Sequence, residues 1–382
     1  MPTQPSPDSF IPPAKIYYID YLKVLLTVLV VLHHTVIAFG APGGWYYTQK
    51  TTTPGALIPM TMFVAINQAF FMGFFFFLSA YFVQPSFDRK GPIKFLSDRL
   101  IRLGLPLLFY SFILSPFLSY LGYYFAEGRR ISYWQYLSGF HPWIDFGVLW
   151  FVAALLIFTL IYVVYRIAIK KMPVKHRGLP TVKTIILTAL AVGIATFFVR
   201  TIFPIGWVLK PLGFQLAHFS QYIVLFILGL VAYTNNWLNG LSIKTGKRFL
   251  IFVIVLVVFF PVFYVIKLTN DIPLDWFSGG WHWQSLLYSV WEQLLGFSMI
   301  IMLLSYGKAL WNKPSVFLGT LSRRAFAVYI FHPLVVISAS LAVRTWEIDP
   351  AIKLLVVAPA AVVGSFLLAT VVLLVPGVKK VI

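Results

Sequence analysis

The stretch Ile19–Phe39, with the sequence IDYLKVLLTVLVVLHHTVIAF, is long and apolar enough to be a membrane-spanning helix. Its ionisable residues, which hydrocarbon disfavours, are Asp20, Lys23, His33 and His34. An α-helix turns by about 100° and rises by about 1.5 Å per residue, so roughly three turns and about 16 Å separate Lys23 from His34. These two residues therefore lie on one face of the helix, together with Thr27, whereas His33 points about 100° away from it.

The polar residues of this helix have two interpretations. Each histidine could form a hydrogen bond that packs two helices together, and the lysine could extend its amine to the membrane surface. Alternatively, Lys23 near the surface and His34 well inside the membrane line the wall of a polar path. We favour the polar path because the two groups are aligned on one face, three turns apart.

The composition of the whole chain indicates a polytopic membrane protein. Of its 382 residues, 60% are hydrophobic and only 11% are charged, and the mean hydropathy is positive. The net charge of +19 does not indicate nucleic-acid binding, because the basic residues lie between apolar runs and not on a polar surface. The absence of cysteine excludes thiol nucleophiles, disulfides and thiolate metal sites.

Ten apolar runs are long enough to cross about 30 Å of hydrocarbon. After the first, they are Leu57–Val83, Leu105–Tyr124, Phe146–Val164, Thr184–Phe203, Phe219–Tyr233, Phe249–Ile266, Trp283–Tyr306, Ala325–Val343 and Leu354–Val375. We therefore predict an all-α polytopic membrane protein with about ten transmembrane helices, in which residues 16–382 form a single domain. Residues 1–15 are rich in proline and lack an apolar run, which predicts a disordered cytosolic tail and leaves the first helix as the insertion signal.

The distribution of basic residues predicts the orientation in the membrane. When the chain is threaded alternately through ten spans, 22 of the 30 lysines and arginines fall on one side and 8 on the other. Cytosolic loops are enriched in these residues, so the first side is predicted to be cytosolic. Both termini are then cytosolic, and we expect a multi-pass protein of the cell membrane, plasma or inner, with the lipid bilayer as its partner.

The loops on the other side are rich in aromatic and polar residues, as in GGWYYTQKTTTPG at 43–55 and DWFSGGWHW at 275–283. Tryptophan and tyrosine are frequent at membrane interfaces. They are also frequent in sugar-binding surfaces, where a ring face lies beside hydrogen-bonding groups. The composition leaves both interpretations open.

Two arginines lie in a predicted amphipathic helix between the second and third spans, PIKFLSDRLIRLGLP at 92–106. Arg99 and Arg102 are three residues apart and share a face, so they could hold an anionic group from two directions. A basic loop that contacts lipid phosphates would have the same composition. A second cytosolic pair, Arg323 and Arg324, precedes the ninth span.

Glu292 lies near the middle of the membrane in the eighth span. A carboxylate at this depth needs a partner, and His34 is a candidate because a carboxylate fixes the tautomer of an imidazole and raises its basicity. Alternatively, Glu292 is protonated or paired and holds helices together. We interpret His332 as a packing or kink residue, because the adjacent Pro333 frees a backbone carbonyl for it to bond.

Metal and nucleotide motifs are missing from the sequence. The adjacent His33 and His34 cannot bind one metal from a single helical face. No predicted span carries a His-x-x-x-His motif or a carboxylate cluster, and no Walker-type glycine-rich loop is present.

The order of these features resembles the acyltransferase 3 family of integral-membrane acyltransferases over nearly the whole chain. The resemblance is carried by a basic residue and a histidine eleven positions apart, here Lys23 and His34, and by an R-x-x-R pair, here Arg99 and Arg102. Further matching segments are FFFFLSAYF at 74–82, LWF at 149–151, FILGLVAYTNNWL at 226–238 and YIFHPLVV at 329–336. Within the family, the chain resembles the branch of glucan succinyltransferase-like and O-acetyltransferase-like proteins. It departs from the common pattern with lysine at position 23 instead of arginine and alanine at position 80 instead of glycine.

The resemblance implies an O-acyltransferase in which His34 is catalytic and Lys23, Arg99 and Arg102 bind a cytosolic acyl-CoA donor. The acyl group, acetyl or succinyl, would pass to a hydroxyl of an extracytoplasmic or lipid-linked carbohydrate. His34 would act as a general base on that hydroxyl or would accept the acyl group itself. No permanently bound cofactor is expected, because acyl-CoA is the donor substrate.

Three further residues are candidates for the site. Glu292 is a second candidate catalytic residue, and Arg323 and Arg324 are further candidates for donor binding.

A secondary transporter of an anionic or sugar substrate could instead use Lys23, His34 and Glu292 as a proton relay. A lipid- or carbohydrate-binding membrane receptor is a third class. Neither alternative explains the ordered set of motifs, and no feature of the sequence sets an oligomeric state.

Overall fold

The computed structural model describes residues 15–169 and 178–382, and in these ranges the chain is helical without a β-strand. Ten helices are long and apolar enough to cross a membrane. They are α1 Tyr17–Phe39, α2 Pro54–Lys90, α3 Pro92–Ala126, α4 Gly147–Ala168, α5 Val182–Ile202, α6 Leu216–Thr234, α7 Ile243–Thr269, α8 Trp283–Leu310, α9 Ala325–Ala342 and α10 Pro350–Val372. The predicted all-α fold with ten spans is thus confirmed. Two predicted features lie largely outside the described residues: the tail at 1–15, of which Lys15 alone is described, and the basic loop after α4.

Shorter helices lie in the connections between these ten, at Tyr133–Ser138, Trp237–Gly240, Asp275–Ser278 and Val316–Ser322, and another, Val378–Val381, follows α10.

Helix α3 differs from the prediction because the separate amphipathic helix continues directly into the third span. The continuous helix contains π-helical segments at Leu100–Gly104, Tyr110–Leu114 and Gly122–Ala126. The first two segments end two residues before Pro106 and Pro116. We attribute them to these prolines, which lack the N–H that a regular helical bond requires.

Helix α1 lies at the centre of the bundle and contacts α2, α8, α9 and α10. Its buried residues occur on all sides of the helix, and they include Thr27, His33 and Thr35 among the polar ones. A helix that is buried all round meets protein instead of lipid. The polar side chains of α1 therefore face other helices.

Small residues allow α2 to approach α6 and α8 closely. A Cβ atom at Gly229 of α6 would collide with the Phe77 carbonyl oxygen and with Ala80 of α2. A Cβ atom at Gly296 of α8 would collide with the Ala69 carbonyl oxygen. Close backbone approach at small residues is a common way to pack membrane helices.

The loop between α1 and α2 is tied to the start of α10. The hydroxyls of Thr51 and Thr53 donate to the carboxylate of Asp349 at 2.9 and 2.7 Å. The hydrogen bond from Thr53 is the main reason why the pKa of Asp349 is lowered. The Gln49 side chain also donates to the Ser340 carbonyl at 2.8 Å. These bonds fix the end of the segment that carries Trp45.

Candidate active site

A cavity of about 330 Å³ lies at the end of the bundle where α1 begins. Lys23 of α1 and Arg99 and Arg102 of α3 all line it, although they are far apart in sequence. We call it the basic cavity. Its other polar lining residues are Asp20, Thr27, Ser79, Ser322 and Tyr329.

The basic cavity has an excess of positive charge. Lys23 Nζ lies 3.5 Å from the carboxylate of Asp20, the one acidic residue among those that line it. Within residues 15–169 and 178–382, neither Arg99 nor Arg102 forms an ion pair, and the Arg99 guanidinium lies 5.1 Å from the centre of the Phe95 ring. Three cations thus face one carboxylate, an arrangement suited to binding an anion.

The basic cavity reaches inward to Tyr329 of α9, whose hydroxyl donates to the Val148 carbonyl. One turn further along α9 lies His332, and its ring centre is 5.3 Å from that of His34. The cavity therefore leads from the three basic residues towards the predicted catalytic histidine.

His34 belongs to a cluster of three neighbouring rings with Trp45 and His332, which we call the ring cluster. The ring centres of His34 and Trp45 are 4.4 Å apart, and those of Trp45 and His332 are 6.1 Å apart. Each ring has one buried polar atom without a hydrogen-bond partner among the residues that the structure describes: Trp45 Nε1, His34 Nδ1 and His332 Nε2. Buried polar atoms are nearly always paired, so three unpaired atoms on adjoining rings make the ring cluster a candidate functional site.

The adjacent histidine has different neighbours. His33 is buried, its ring centre lies 4.9 Å from that of Phe71, and it is close enough to His218 for the two to interact electrostatically. His34 is half-buried and faces the ring cluster. The 100° offset between neighbouring helical residues accounts for this difference.

Trp45 and Tyr46 were not singled out from the sequence. The chain turns back after α1 at Gly40, where φ is +149°, and this turn brings Trp45 onto His34. The Tyr46 hydroxyl is hydrogen-bonded to the Tyr110 hydroxyl at 2.7 Å, which ties the same segment to α3. The aromatic character of residues 43–55 was the one available signal, and it did not show that the loop folds inward.

Glu292 does not pair with His34, in contrast to the expected contact. Its carboxylate accepts from Arg200 Nη2 at 2.5 Å, and its other oxygen lies 3.3 Å from His218 Nδ1. Arg200 is completely buried and also donates to the Ser289 hydroxyl at 3.1 Å. Arg200 is one of the eight basic residues that fall outside the predicted cytosolic side. Its place near the end of a span does not reveal whether the side chain points into the protein. This cluster holds α5, the start of α6 and α8 together, which is the alternative role considered for Glu292.

A second cavity of about 490 Å³ lies at the opposite end of the bundle, between the loop after α1 and helices α2, α7 and α8. Its walls are mainly apolar and aromatic. Its polar lining residues are Lys50, Thr61, Gln68, His218, Tyr264, Lys267, Ser278 and Tyr288. His218 thus connects the buried Arg200–Glu292 pair to this second cavity.

The other predicted donor-binding arginines lie outside the basic cavity. Arg324 donates from Nε to the Thr370 hydroxyl at 2.7 Å and from Nη1 to the Thr320 carbonyl at 2.9 Å, which joins α9 to α10. Arg323 donates to the Thr320 hydroxyl at 3.0 Å and lines a separate surface cavity with Lys15. Neither arginine joins Lys23, Arg99 and Arg102.

The described part of the chain contains no group of three histidine, aspartate or glutamate side chains arranged to hold a metal ion.

A comparison with models of protein families gives a match over nearly the whole chain. A family model described as an acyltransferase domain, of the acyltransferase 3 type, matches residues 16–373. No curated protein and no solved structure matches the chain. The matched range contains the basic cavity, the ring cluster and the second cavity.

Proposed function

The chain belongs to the acyltransferase 3 family, and from this premise we propose that it is a membrane O-acyltransferase that uses acyl-CoA. The acyl group, acetyl or succinyl, passes to a hydroxyl of an extracytoplasmic or lipid-linked carbohydrate. One observation carries this proposal: Lys23, Arg99 and Arg102 surround a cavity whose inner end, at Tyr329, lies one helical turn from the ring cluster that contains His34.

In this proposal the basic cavity binds the phosphates of the donor. Arg99 and Arg102 are not neutralised by an acid within residues 15–169 and 178–382, so their charge is available to an anionic ligand. Arginine binds phosphate oxygens through two parallel N–H groups, and lysine binds them as a point charge. The narrow pantetheine arm then extends past Tyr329 and carries the thioester towards His34. About 16 Å of helix separate Lys23 from His34, a distance suited to an extended arm.

The reaction requires a base and an acyl acceptor, and His34 supplies the necessary nitrogen. As a general base, His34 takes the proton of the acceptor hydroxyl while the hydroxyl oxygen bonds to the thioester carbon. The carbon–sulfur bond breaks, and the proton passes from His34 to the sulfur of coenzyme A. In the alternative route, His34 first accepts the acyl group and then passes it to the hydroxyl. Both routes give an ester and free coenzyme A.

The acceptor approaches from the opposite end of the bundle. The second cavity there combines aromatic walls with tyrosine, glutamine and histidine side chains. Such a combination suits a sugar, whose faces stack on aromatic rings and whose hydroxyls form hydrogen bonds. With 22 of the 30 basic residues on the donor side, we place that side and both termini in the cytosol and the protein in the cell membrane.

The test is the release of coenzyme A by the purified protein in lipid nanodiscs. The protein has no cysteine, so a thiol reagent detects coenzyme A without a background from the chain. Acetyl-CoA and succinyl-CoA are each supplied with an extract of cell-surface glycans, and ester-linked acyl groups on the glycans are identified by mass spectrometry. The proposal predicts thiol release that depends on His34 together with new glycan esters. A transporter or a receptor would leave acyl-CoA intact.

A further inference from the structure

Pro333 determines the hydrogen bond of His332 in α9. In an α-helix the backbone N–H of each residue donates to the carbonyl four residues earlier, so position 333 would normally serve the Tyr329 carbonyl. Proline has no N–H, which leaves this carbonyl without its helical donor. His332 Nδ1 lies 2.9 Å from the Tyr329 carbonyl oxygen and takes the place of that donor.

This hydrogen bond fixes the tautomer of His332. A carbonyl oxygen can only accept, so the hydrogen must reside on Nδ1. In the neutral ring, Nε2 then carries a lone pair and no hydrogen, so it can only accept a hydrogen bond. His332 is completely buried, and its Nε2 has no partner in the part of the chain that the structure describes.

His34 carries the complementary atom. Its Nδ1 is also buried and has no partner among the described residues. The two rings are 22° from parallel, with centres 5.3 Å apart. Two imidazoles joined by a linear N–H···N bond of about 3 Å have ring centres roughly 5 Å apart, so the observed spacing of the two rings fits such a bond.

We propose that His332 is a positioning residue for His34, a role that rests on the proposed function. His332 Nε2 accepts a hydrogen bond from His34 Nδ1–H. The lone pair of His34 is therefore at Nε2, and this nitrogen acts on the hydroxyl or on the thioester. A carboxylate performs the same task for the histidine of a Ser-His-Asp triad. Here Glu292, the carboxylate expected in this role, is bound to Arg200.

The contact between His34 and Trp45 supports this arrangement. The Trp45 ring stacks on His34 at 20° from parallel and limits the rotation of the imidazole. With one face of the ring held and Nδ1 bonded to His332, His34 is fixed in orientation and in tautomer.

The direct test is nuclear magnetic resonance of the ¹⁵N-histidine-labelled full chain in lipid nanodiscs, which distinguishes Nδ1–H from Nε2–H tautomers. His34→Ala and His332→Phe identify the two signals by their disappearance. We expect both histidines in the wild type to be Nδ1–H. In His332→Phe, which keeps a ring but removes the acceptor, His34 should shift towards Nε2–H. His33→Phe is the matched control: its ring lies edge-on to His34 with centres 5.5 Å apart, and the substitution should leave the tautomer of His34 unchanged.

A kinetic measurement separates positioning from general structural support. His332→Phe should lower kcat for thiol release by about ten- to a hundredfold, as for other partners that orient a functional histidine, with little change in KM for acyl-CoA. His332→Gln should restore much of the loss, since its amide can donate to the Tyr329 carbonyl and its oxygen can accept from His34. If His332→Phe does not fold, the wild-type spectrum and His332→Gln still provide the test.

The spectra test the role of His332, whereas the release of coenzyme A tests the proposed function. An Nε2–H tautomer of His34 in the wild type, or an unchanged His34 signal in His332→Phe, would overturn the inference. The spectra require neither donor nor acceptor. A chain with the expected tautomers that never releases coenzyme A would overturn the proposed function alone.

Discussion

The indole ring of Trp45 stacks on the imidazole of His34, with ring centres 4.4 Å apart and planes 20° from parallel. This contact joins the loop after α1 to the middle of α1 itself. The loop is also held by the Tyr46–Tyr110 hydrogen bond and by Asp349. The orientation of His34 is thus coupled to a segment outside the helix that carries it.

Trp45→Ala should lower turnover by about tenfold, because an aromatic pair contributes about 0.5–1.5 kcal/mol beyond its buried area. Trp45→Phe should retain most of the activity, since a smaller ring can still cover the imidazole. The measurement is the rate of coenzyme A release at saturating acyl-CoA. Trp134→Ala is the matched control, because Trp134 is 76% exposed and belongs to a neighbouring loop helix. Wild-type turnover in Trp45→Ala would contradict a role for the stacking contact.

His34→Ala should lower turnover at least about a hundredfold, the typical loss when a positioned acid–base group is removed. Binding of acyl-CoA should persist, because the donor phosphates are assigned to the basic cavity. His33→Ala should have a much smaller effect, as His33 contacts Phe71 and lies outside the ring cluster. If His33→Ala were the inactive variant and His34→Ala the active one, the assignment of the catalytic face of α1 would be wrong.

Glu292→Gln should destabilise the protein by about 3–5 kcal/mol, since it leaves the buried Arg200 without its counter-charge. The double variant Arg200→Met with Glu292→Met should recover part of this loss, because two apolar side chains leave no unpaired charge. Thermal unfolding in nanodiscs measures both effects. Glu127→Gln is the control: its partner Arg129 is 63% exposed, and exposed pairs contribute at most about 1 kcal/mol. If Glu292→Gln destabilised the protein as little as Glu127→Gln does, the buried pair would not be what holds the helices together.

The orientation is tested by single cysteines, since the native chain has none. A membrane-impermeant thiol reagent should label a cysteine at Thr52 from outside intact cells, because Thr52 is exposed at the end of the bundle that we place outside. A cysteine at Lys244, also exposed, should react only after the membrane is opened. Labelling of Lys244→Cys from outside intact cells would reverse the proposed topology.

The ten spans could be predicted because membrane insertion imposes a strong local pattern, about twenty apolar residues per helix with basic residues between helices. The shared face of Lys23 and His34 followed from helical geometry alone. The meeting of Lys23 with Arg99 and Arg102 was implied by the family resemblance, and the packing of α1 against its neighbours brings these residues to one cavity.

Contacts between distant segments could not be predicted in the same way. Trp45 reaches His34 only because its loop folds back at Gly40 and is held by Asp349, and no local pattern encodes that path. Glu292 pairs with Arg200 and not with His34, since depth in the membrane does not specify which helix lies opposite. The sequence supported the Tyr329–His332 bond through Pro333, but the neighbouring His34 depends on how α1 and α9 pack.

In the proposed function, Arg99 and Arg102 hold the phosphates of the donor. Arg99→Gln and Arg102→Gln should each weaken acyl-CoA binding by about 1.5–3 kcal/mol, the value of a hydrogen bond to a charged group. An acyl-pantetheine fragment without the nucleotide phosphates should bind and react equally well with the wild type and with both variants. The control is the double variant Arg129→Gln with Arg130→Gln, a basic pair at the opposite end of the bundle. It should change neither the binding nor the reaction of either donor.

The most direct measurement is therefore the ratio of kcat/KM for acyl-CoA to kcat/KM for the acyl-pantetheine fragment, in the wild type and in the two variants. We expect a strong preference of the wild type for acyl-CoA and the loss of most of this preference in Arg99→Gln and Arg102→Gln, with activity on the fragment retained. An equal loss on both donors would contradict it, because the two arginines would then support the fold or the catalytic geometry and not the phosphates.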